Sequence, residues 1–349
     1  MKILTKLEDA LEVYSSEAAE RTFKWIFNEI HHTCYLLVIK DGVPSMVKLD
    51  PQGIPASLRK TLRQKTKLAK TLRNKPLRLM GCVVKVRKEG TATHEFPKWI
   101  ESIPQKLPDG AYILNLTDAV ILNKEGNYLP ILGGSGARGF RDVPIPNYDD
   151  VRLAMGYDKL GIFETSWTAK KPIAVFRGGP TGCGTTSKTN QRLRLAEMRS
   201  PLLDVGLTRV KSSNPRIDPE RGLSMMETNM SPVSFMSMED QSKYKYIIHV
   251  DGNVAAYRLL ATMMTGSLIL RVKSVYTLWA DSVLEDGVHY ISIAEDLSDL
   301  ESTIEWCRNN DSKCRAIAKK GRSVAQKLLT RESIDSYFVK VLRKIKRSF

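Results

Sequence analysis

Cysteine is scarce in this 349-residue chain. There are five (Cys34, Cys82, Cys183, Cys307 and Cys314), an odd number with no C-x-x-C spacing, which argues against a disulfide framework or a zinc module. Free thiols in a reducing compartment are the expectation. Long apolar runs are lacking too: the richest stretch, 254–272, is broken by Arg258 and Arg271, so no segment reaches the roughly 18 residues of a membrane span. The opening residues carry Lys6, Glu8 and Asp9 where a secretory signal needs an apolar core, and a cytoplasmic or cytosol-facing location is expected. Acidic residues are in deficit, 38 against 54 basic ones, and the net charge of +16 favours a polyanion: nucleic acid, nucleotide phosphate or an anionic membrane face. A content of 42% hydrophobic and 26% charged residues is that of an ordinary globular protein, and the length predicts two domains.

Apolar residues at roughly helical spacing predict helix over 1–30, followed by a strand at 35–39 and a turn at Asp41-Gly42. Residues 59–75 hold eight basic residues and no acidic one, with Leu58, Leu62, Ala69 and Leu72 forming one stripe. This reads as an amphipathic helix whose polar face is either merely solvated or able to meet an anionic membrane surface. A strand is predicted over 77–86 and another over 111–116, then a Gly- and Pro-rich loop over 133–148. From Pro172 short apolar runs alternate with helices: strands at 173–176, 202–205, 247–250, 267–272 and 290–293, helices at 190–198, 254–264, 300–309 and 312–329. Such alternation predicts a parallel sheet wrapped by helices. The expected division is 1–165, 166–330 and a basic C-terminal helix over 331–349.

Gly134, Gly136 and Gly139 satisfy G-x-G-x-x-G. A dinucleotide fingerprint must open a helix, however, and Pro144 and Pro146 follow too closely, so a loop that closes over a substrate is the better reading. A second cluster, 176–187, follows a strand but lacks the G-K-[ST] ending of a Walker loop. Its glycines still allow close approach of a ligand, and Arg192 and Arg194 lie on the helix beyond. The most informative stretch is 246–258, where a buried strand meets Asp251-Gly252-Asn253 and is expected to pass directly into a helix. Amides at such a helix start suit a diphosphate, Ala255 and Ala256 let it come close, and Arg258 lies one turn along.

These residues carry a resemblance. KYKYIIHVDGNVAAYRLLATMMTGSLILRVKS, with Trp279, HYISI, DLSDLESTIEW and RAIAKKGRSVAQKLL, resembles the C-terminal half of glycosyltransferase family 90, the Rumi-like protein O-glucosyltransferases and fungal capsule-associated xylosyltransferases. AVFRGGPTGCGTT, TNQRLRLAEM and LLDVGLT match its FRGS-type segment and the strand after it. In the N-terminal half LPDGAYILNLTDAVIL and DVPIPNYDD match less closely. The resemblance implies an α/β, GT-B-like fold with two Rossmann-like domains facing a central cleft, and an inverting, metal-independent transfer from a UDP-sugar to a glycan or glycoprotein hydroxyl, with no cofactor. It implies Asp118 as catalytic base. Gly179, Arg192 and the turn Gly252, Asn253, Val254, Ala255, Ala256, Tyr257 and Arg258 would hold the donor. Two departures stand out: Gly179 replaces a Ser, and Asp118 lacks the flanking Arg and Pro. The donor sugar is xylose or glucose, with a lean to xylose from the 181–193 segment, and Asp142 is the next base if Asp118 fails.

The competing class is a basic nucleic-acid-binding protein. It is supported by the charge, but the chain has no helix-turn-helix, zinc finger or aromatic RNA platform, so no nucleic-acid partner is expected.

Overall fold

The computed structural model describes residues 1–51, 77–80, 83–86, 92–121, 127–161, 163, 165–210 and 214–346, with the backbone alone at 77–80, 83–86 and 92–94. The amphipathic segment expected at 59–75, and with it the membrane-facing role, lies outside the described residues.

The first thirty residues do not form one helix. β1 (Lys2–Leu4) precedes α1 (Leu7–Val13), α2 (Glu17–Lys24) and a wider π-type turn at Trp25–Ile30. β1 is drawn into a parallel pairing with β3, and Ser16 restarts the helix by accepting the Ala19 amide on Oγ at 3.0 Å. β2 (Cys34–Lys40) and β3 (Val43–Leu49) form the hairpin that Asp41-Gly42 announces; both turn residues have positive φ, 55° and 82°, which matches the strand twist. The strand expected over 77–86 is instead two, β4 (Leu77–Met80) and β5 (Val83–Val86), paired antiparallel.

After α3 (Ala92–Glu101) come β6 (Gly110–Asn115), β7 (Ile131–Gly133), β8 (Gly136–Ala137), β9 (Asp142–Pro144) and α4 (Tyr148–Ala154). The N-terminal sheet runs β1-β3-β2-β6-β7-β9 and is mixed, because the β2–β3 hairpin and the β2–β6 pair are antiparallel. This corrects the expectation of a Rossmann-like N-terminal half: a two-residue turn reverses the chain where a parallel sheet needs a crossover helix.

The C-terminal half follows the sequence reading closely. It comprises β10 (Lys171–Gly178), α5 (Gln191–Glu197), β11 (Leu203–Leu207), β12 (Arg216–Asp218), β13 (Gly222–Ser224), α6 (Met238–Gln241) and β14 (Tyr244–His249). Then come α7 (Leu259–Met263), β15 (Leu268–Val272), β16 (Tyr276–Thr277), β17 (Ile291–Ile293), α8 (Leu300–Asn309), α9 (Asp311–Leu328) and α10 (Arg331–Lys346). Its sheet, β11-β10-β14-β15-β17, is parallel throughout. Numbered by chain order the strands lie 2-1-3-4-5, so the winding reverses between β10 and β14, and a ligand crevice is expected beyond the carboxyl ends of those two strands.

The two sheets share packing. Leu114 and Leu132 from one and Ile247 and Ile269 from the other belong to a single buried cluster with Leu259, Trp279 and Phe338. β8 pairs with β16, and β12 pairs with β5. α10 returns to the N-terminal half, where Trp99 Nε1 donates to Asp335 Oδ1 at 2.7 Å and stacks obliquely on Phe338. Cys34, Cys307 and Cys314 are free and buried, whereas Cys183 is disulfide-bonded, a correction to the expectation of free thiols alone.

Candidate active site

At the end of β10 the backbone turns through Gly178-Gly179-Pro180, and at the end of β14 through Asp251-Gly252-Asn253. Two arginines brace these turns. Arg192, presented by α5 after Asn190 caps the helix on the amides of Arg192 and Leu193, donates from Nη1 to the Gly179 carbonyl (3.0 Å), from Nη2 to Val250 (3.1 Å) and from Nε to Asp251 (2.8 Å). Arg258 Nη1 donates to the Arg177 carbonyl at 3.0 Å. Both guanidinium groups lie over the Phe176 ring, at 5.7 and 5.6 Å. Asn253 completes the stitching, accepting the Gly182 amide on Oδ1 at 3.2 Å. A Cβ on Gly252 would stand 2.8 Å from Thr181 Oγ1, and one on Gly179 3.0 Å from Arg209 Nε, so side chains pack closely over both turns.

The helix expected over 254–264 is much shorter. Asp251 Oδ1 accepts the Ala256 amide at 2.9 Å and the Gly252 amide donates to Val254 O at 3.0 Å, so a local turn takes two of the donors the segment carries. The helix opens only at Leu259, with Arg258 in the cap position. Val254, Ala255 and Ala256 are buried, and Gly252, Tyr257 and Arg258 are partly exposed. The amides of 252–256 therefore belong to a turn ahead of the helix and not to its first turn.

Two further arginines escaped the sequence reading. Arg216, from β12 and 2% exposed, donates to the carbonyls of Pro180 and Gly182, and Arg209 lies against Gly179. Burial, with Arg258 and Arg216 nearby, holds Arg192 down at about 9, and burial with Arg209 nearby holds Arg216 at about 10. Burial also lowers Arg258. Asp251, whose carbonyl accepts from Arg192 Nε, has its pKa raised by burial, against the pull of Arg271 and Arg192. His249, at the end of β14, is kept neutral by burial and by Arg271, Arg258 and Arg192. No spacing signal marks Arg216, because it arrives from a different sheet, and Arg209 follows the end of β11 in the same parallel sheet.

Asp118 comes from the other side, in the bend after β6. Its negative charge, second to burial, raises both Tyr257 and Asp149. The charge of Asp118 is thus felt at Tyr257, which is adjacent in sequence to Arg258. Close packing explains two of the G-x-G-x-x-G glycines, and the third, Gly139, has open space around it and a φ of 100°. A Cβ on Gly134 would be 2.7 Å from Tyr257 Oη, and one on Gly136 would be 2.8 Å from Thr277 Oγ1 and 2.9 Å from the Asp142 carbonyl. This segment is a joint between the sheets. Asp142, the fallback base, is buried and accepts the Ile121 amide at 3.1 Å, which places it under the Asp118 loop as a support. Asp149 and Asp150 head α4; Asp150 is raised to about 7 by burial while accepting Trp279 Nε1 at 2.7 Å.

Beside Asn253 a cavity of about 240 Å³ is lined by Arg138, Arg271, Ser274, Tyr276 and Tyr290 among others, and Tyr276 Oη donates to Asn253 O at 3.3 Å. A second cavity, about 980 Å³, lies behind β11 between α5 and segment 227–233 and contains none of the expected site residues. Among the described residues no group of three His, Cys, Asp or Glu side chains is placed to hold a metal, and no helix is long and apolar enough to cross a membrane.

Four arginines thus gather around the turns at the carboxyl ends of β10 and β14, the switch point of the parallel sheet, where ligands of open α/β sheets bind. The chain belongs to glycosyl transferase family 90, whose description matches residues 92–347. It is 39% identical over 210 residues to protein 179R of Invertebrate iridescent virus 6, covering 54% of this chain and 18% of that protein. It is 31% identical over 251 residues to human protein O-glucosyltransferase 3, covering 68% of this chain and 47% of that one. The chain thus spans less than half the length of these two relatives. Among solved structures, sucrose-phosphate synthase from Thermosynechococcus elongatus aligns over 63% of this chain and 59% of its own, with 12% identity and a TM-score of 0.35, a likeness too remote to carry weight.

Proposed function

We propose that the chain transfers a sugar from a UDP-sugar to an acceptor hydroxyl, holding the diphosphate at the ends of β10 and β14 and using Asp118 as the base. The observation that supports this most is the run of arginines 209, 216, 192 and 258, three of them with lowered pKa, around turns 178–182 and 251–258. Buried like charges cost folding free energy, and a bound diphosphate offsets that cost. In the transfer the acceptor oxygen attacks the anomeric carbon while the bond to the β-phosphate oxygen breaks. The electron pair leaves with UDP and Asp118 takes the hydroxyl proton. A single displacement inverts the anomeric centre. The arginines meet the developing phosphate charge, so the reading requires no metal and no cofactor. A GT-B-like approach of the two halves over the donor belongs to the same reading.

The acceptor is a glycan or glycoprotein hydroxyl, in keeping with the curated protein O-glucosyltransferase relatives. For the donor, the 181–193 segment favours xylose and the names of those relatives favour glucose. A nucleic-acid site needs cations exposed along one face, whereas Arg192 and Arg216 are buried in the crevice. UDP release measured with UDP-glucose and UDP-xylose tests the reading and selects the donor. In that assay Asp118→Asn is expected to lower turnover about 10²–10⁴-fold with UDP affinity unchanged, and near-normal turnover of this variant would remove Asp118 from the chemistry.

A further inference from the structure

One buried amide holds the backbone on both sides of Asp118. Asn115, the last residue of β6 and fully buried, accepts on Oδ1 from the Thr117 amide (3.1 Å) and the Thr117 hydroxyl (2.7 Å), and donates from Nδ2 to the Ala119 carbonyl (2.7 Å). His32, 1% exposed, approaches the same group: its Nε2 lies 2.7 Å from Thr117 Oγ1 and 3.2 Å from Asn115 Oδ1. One proton arrangement satisfies all three side chains. Asn115 Nδ2 is committed to a carbonyl, so Oδ1 is an acceptor; the Thr117 hydroxyl donates to it, and the Thr117 oxygen then accepts from His32 Nε2–H. The Ala119 amide donates to Thr117 O at 2.8 Å across the turn, and Asp142 anchors the exit through Ile121.

This is more buried hydrogen bonding than a connecting bend needs. A buried polar network of this kind is costly unless fully satisfied, and when satisfied it fixes one geometry. We propose that Asn115, supported by Thr117 and His32, is the positioning residue for Asp118, setting where its carboxylate meets the acceptor hydroxyl. The proposal rests on Asp118 being the base.

The test is steady-state UDP release from UDP-glucose and UDP-xylose, with UDP affinity by calorimetry and thermal unfolding of each variant. Asn115→Ala is expected to lower kcat about 10–100-fold, the scale of a misplaced catalytic group, while KM for the donor and the UDP Kd stay within about twofold, since the arginine turn is untouched. Combined with Asp118→Asn it should cost nothing further, because nothing remains to position. Thr117→Val keeps the side-chain shape, removes only the hydroxyl and gives a milder fall in kcat even if Asn115→Ala folds poorly. His32→Gln, whose amide can supply the Nε2 donor, should recover most of what His32→Ala loses. An unchanged kcat in Thr117→Val and Asn115→Ala beside an inactive Asp118→Asn overturns the positioning role and leaves the base standing. An equal loss from Asn115→Ala in the Asp118→Asn background shows a structural role and overturns it as well. Normal turnover in Asp118→Asn alone overturns the base reading and this proposal together.

Discussion

Replacing Arg258 by methionine separates a cation kept for a ligand from one kept for the fold. Its guanidinium sits over Phe176, holds one carbonyl, that of Arg177, at 3.0 Å, and has a pKa lowered by burial. Methionine of similar length removes that charge-assisted hydrogen bond, worth about 1.5–3 kcal/mol, and the contact with Phe176, and in compensation removes a desolvated charge close to Arg192, so that the exchange is commonly near neutral. The stability of the unliganded protein should therefore change by less than about 1 kcal/mol. Binding behaves differently, because a charge-assisted contact to phosphate is worth about 1.5–3 kcal/mol, or about 10–150-fold in UDP affinity. Thermal unfolding reads both effects at once. At a UDP concentration about 100 times the parent Kd the parent gains about 2.7 kcal/mol, whereas a variant with about 30-fold weaker binding gains less than about 1 kcal/mol. A UDP Kd within threefold of the parent, or an affinity loss that comes only with collapse of the unliganded protein, would refute the reasoning.

Gly136→Ala should cost about 1–3 kcal/mol in denaturant unfolding, because the new methyl meets the Asp142 carbonyl at 2.9 Å and the Pro144 ring at 3.0 Å in the strand that joins the two halves; an unchanged midpoint would mean that the joint yields freely. Asp150, raised to about 7 by burial, binds its proton more tightly when folded than the roughly 3.9 of an unfolded aspartate. Its stabilising contribution is thus complete below about pH 4 and is lost as pH rises through 7. Relative to the parent, Asp150→Asn should accordingly gain stability between pH 4 and 7, and parallel pH–stability curves for the two proteins would contradict this.

The C-terminal sheet was legible because each buried parallel strand reads as a short apolar run, as in 246–250 and 268–272, with a helix after it. The Asp41-Gly42 hairpin was legible from two residues that tolerate positive φ. Two misreadings share one cause: short polar side chains that take over backbone donors. Asp251 captures the Ala256 amide and delays the helix to Leu259, and Ser16 captures Ala19 and divides the N-terminal helix. Periodicity cannot register such local competition. For the site, the turns and Arg258 could be found from spacing, since each lies next to a strand end. Arg216 joins the site only through the packing of β12 against the 180–182 loop, Arg209 only through the pairing of β11 with β10, and the Asn115 clamp only through the fold of the Asp118 bend. The glycine motif at 134–139 resembled a ligand loop because close packing of backbone against Tyr257 and Thr277 demands the same residue as close approach of a phosphate.

The most direct test is a crystal structure of the protein soaked with UDP. The account predicts the diphosphate beyond the carboxyl ends of β10 and β14, within hydrogen-bonding distance of Arg258 and facing the Asp118 bend. UDP seated elsewhere, for instance in the cavity behind β11, with the Arg258 guanidinium left on the Arg177 carbonyl and no anion beside it, would contradict it.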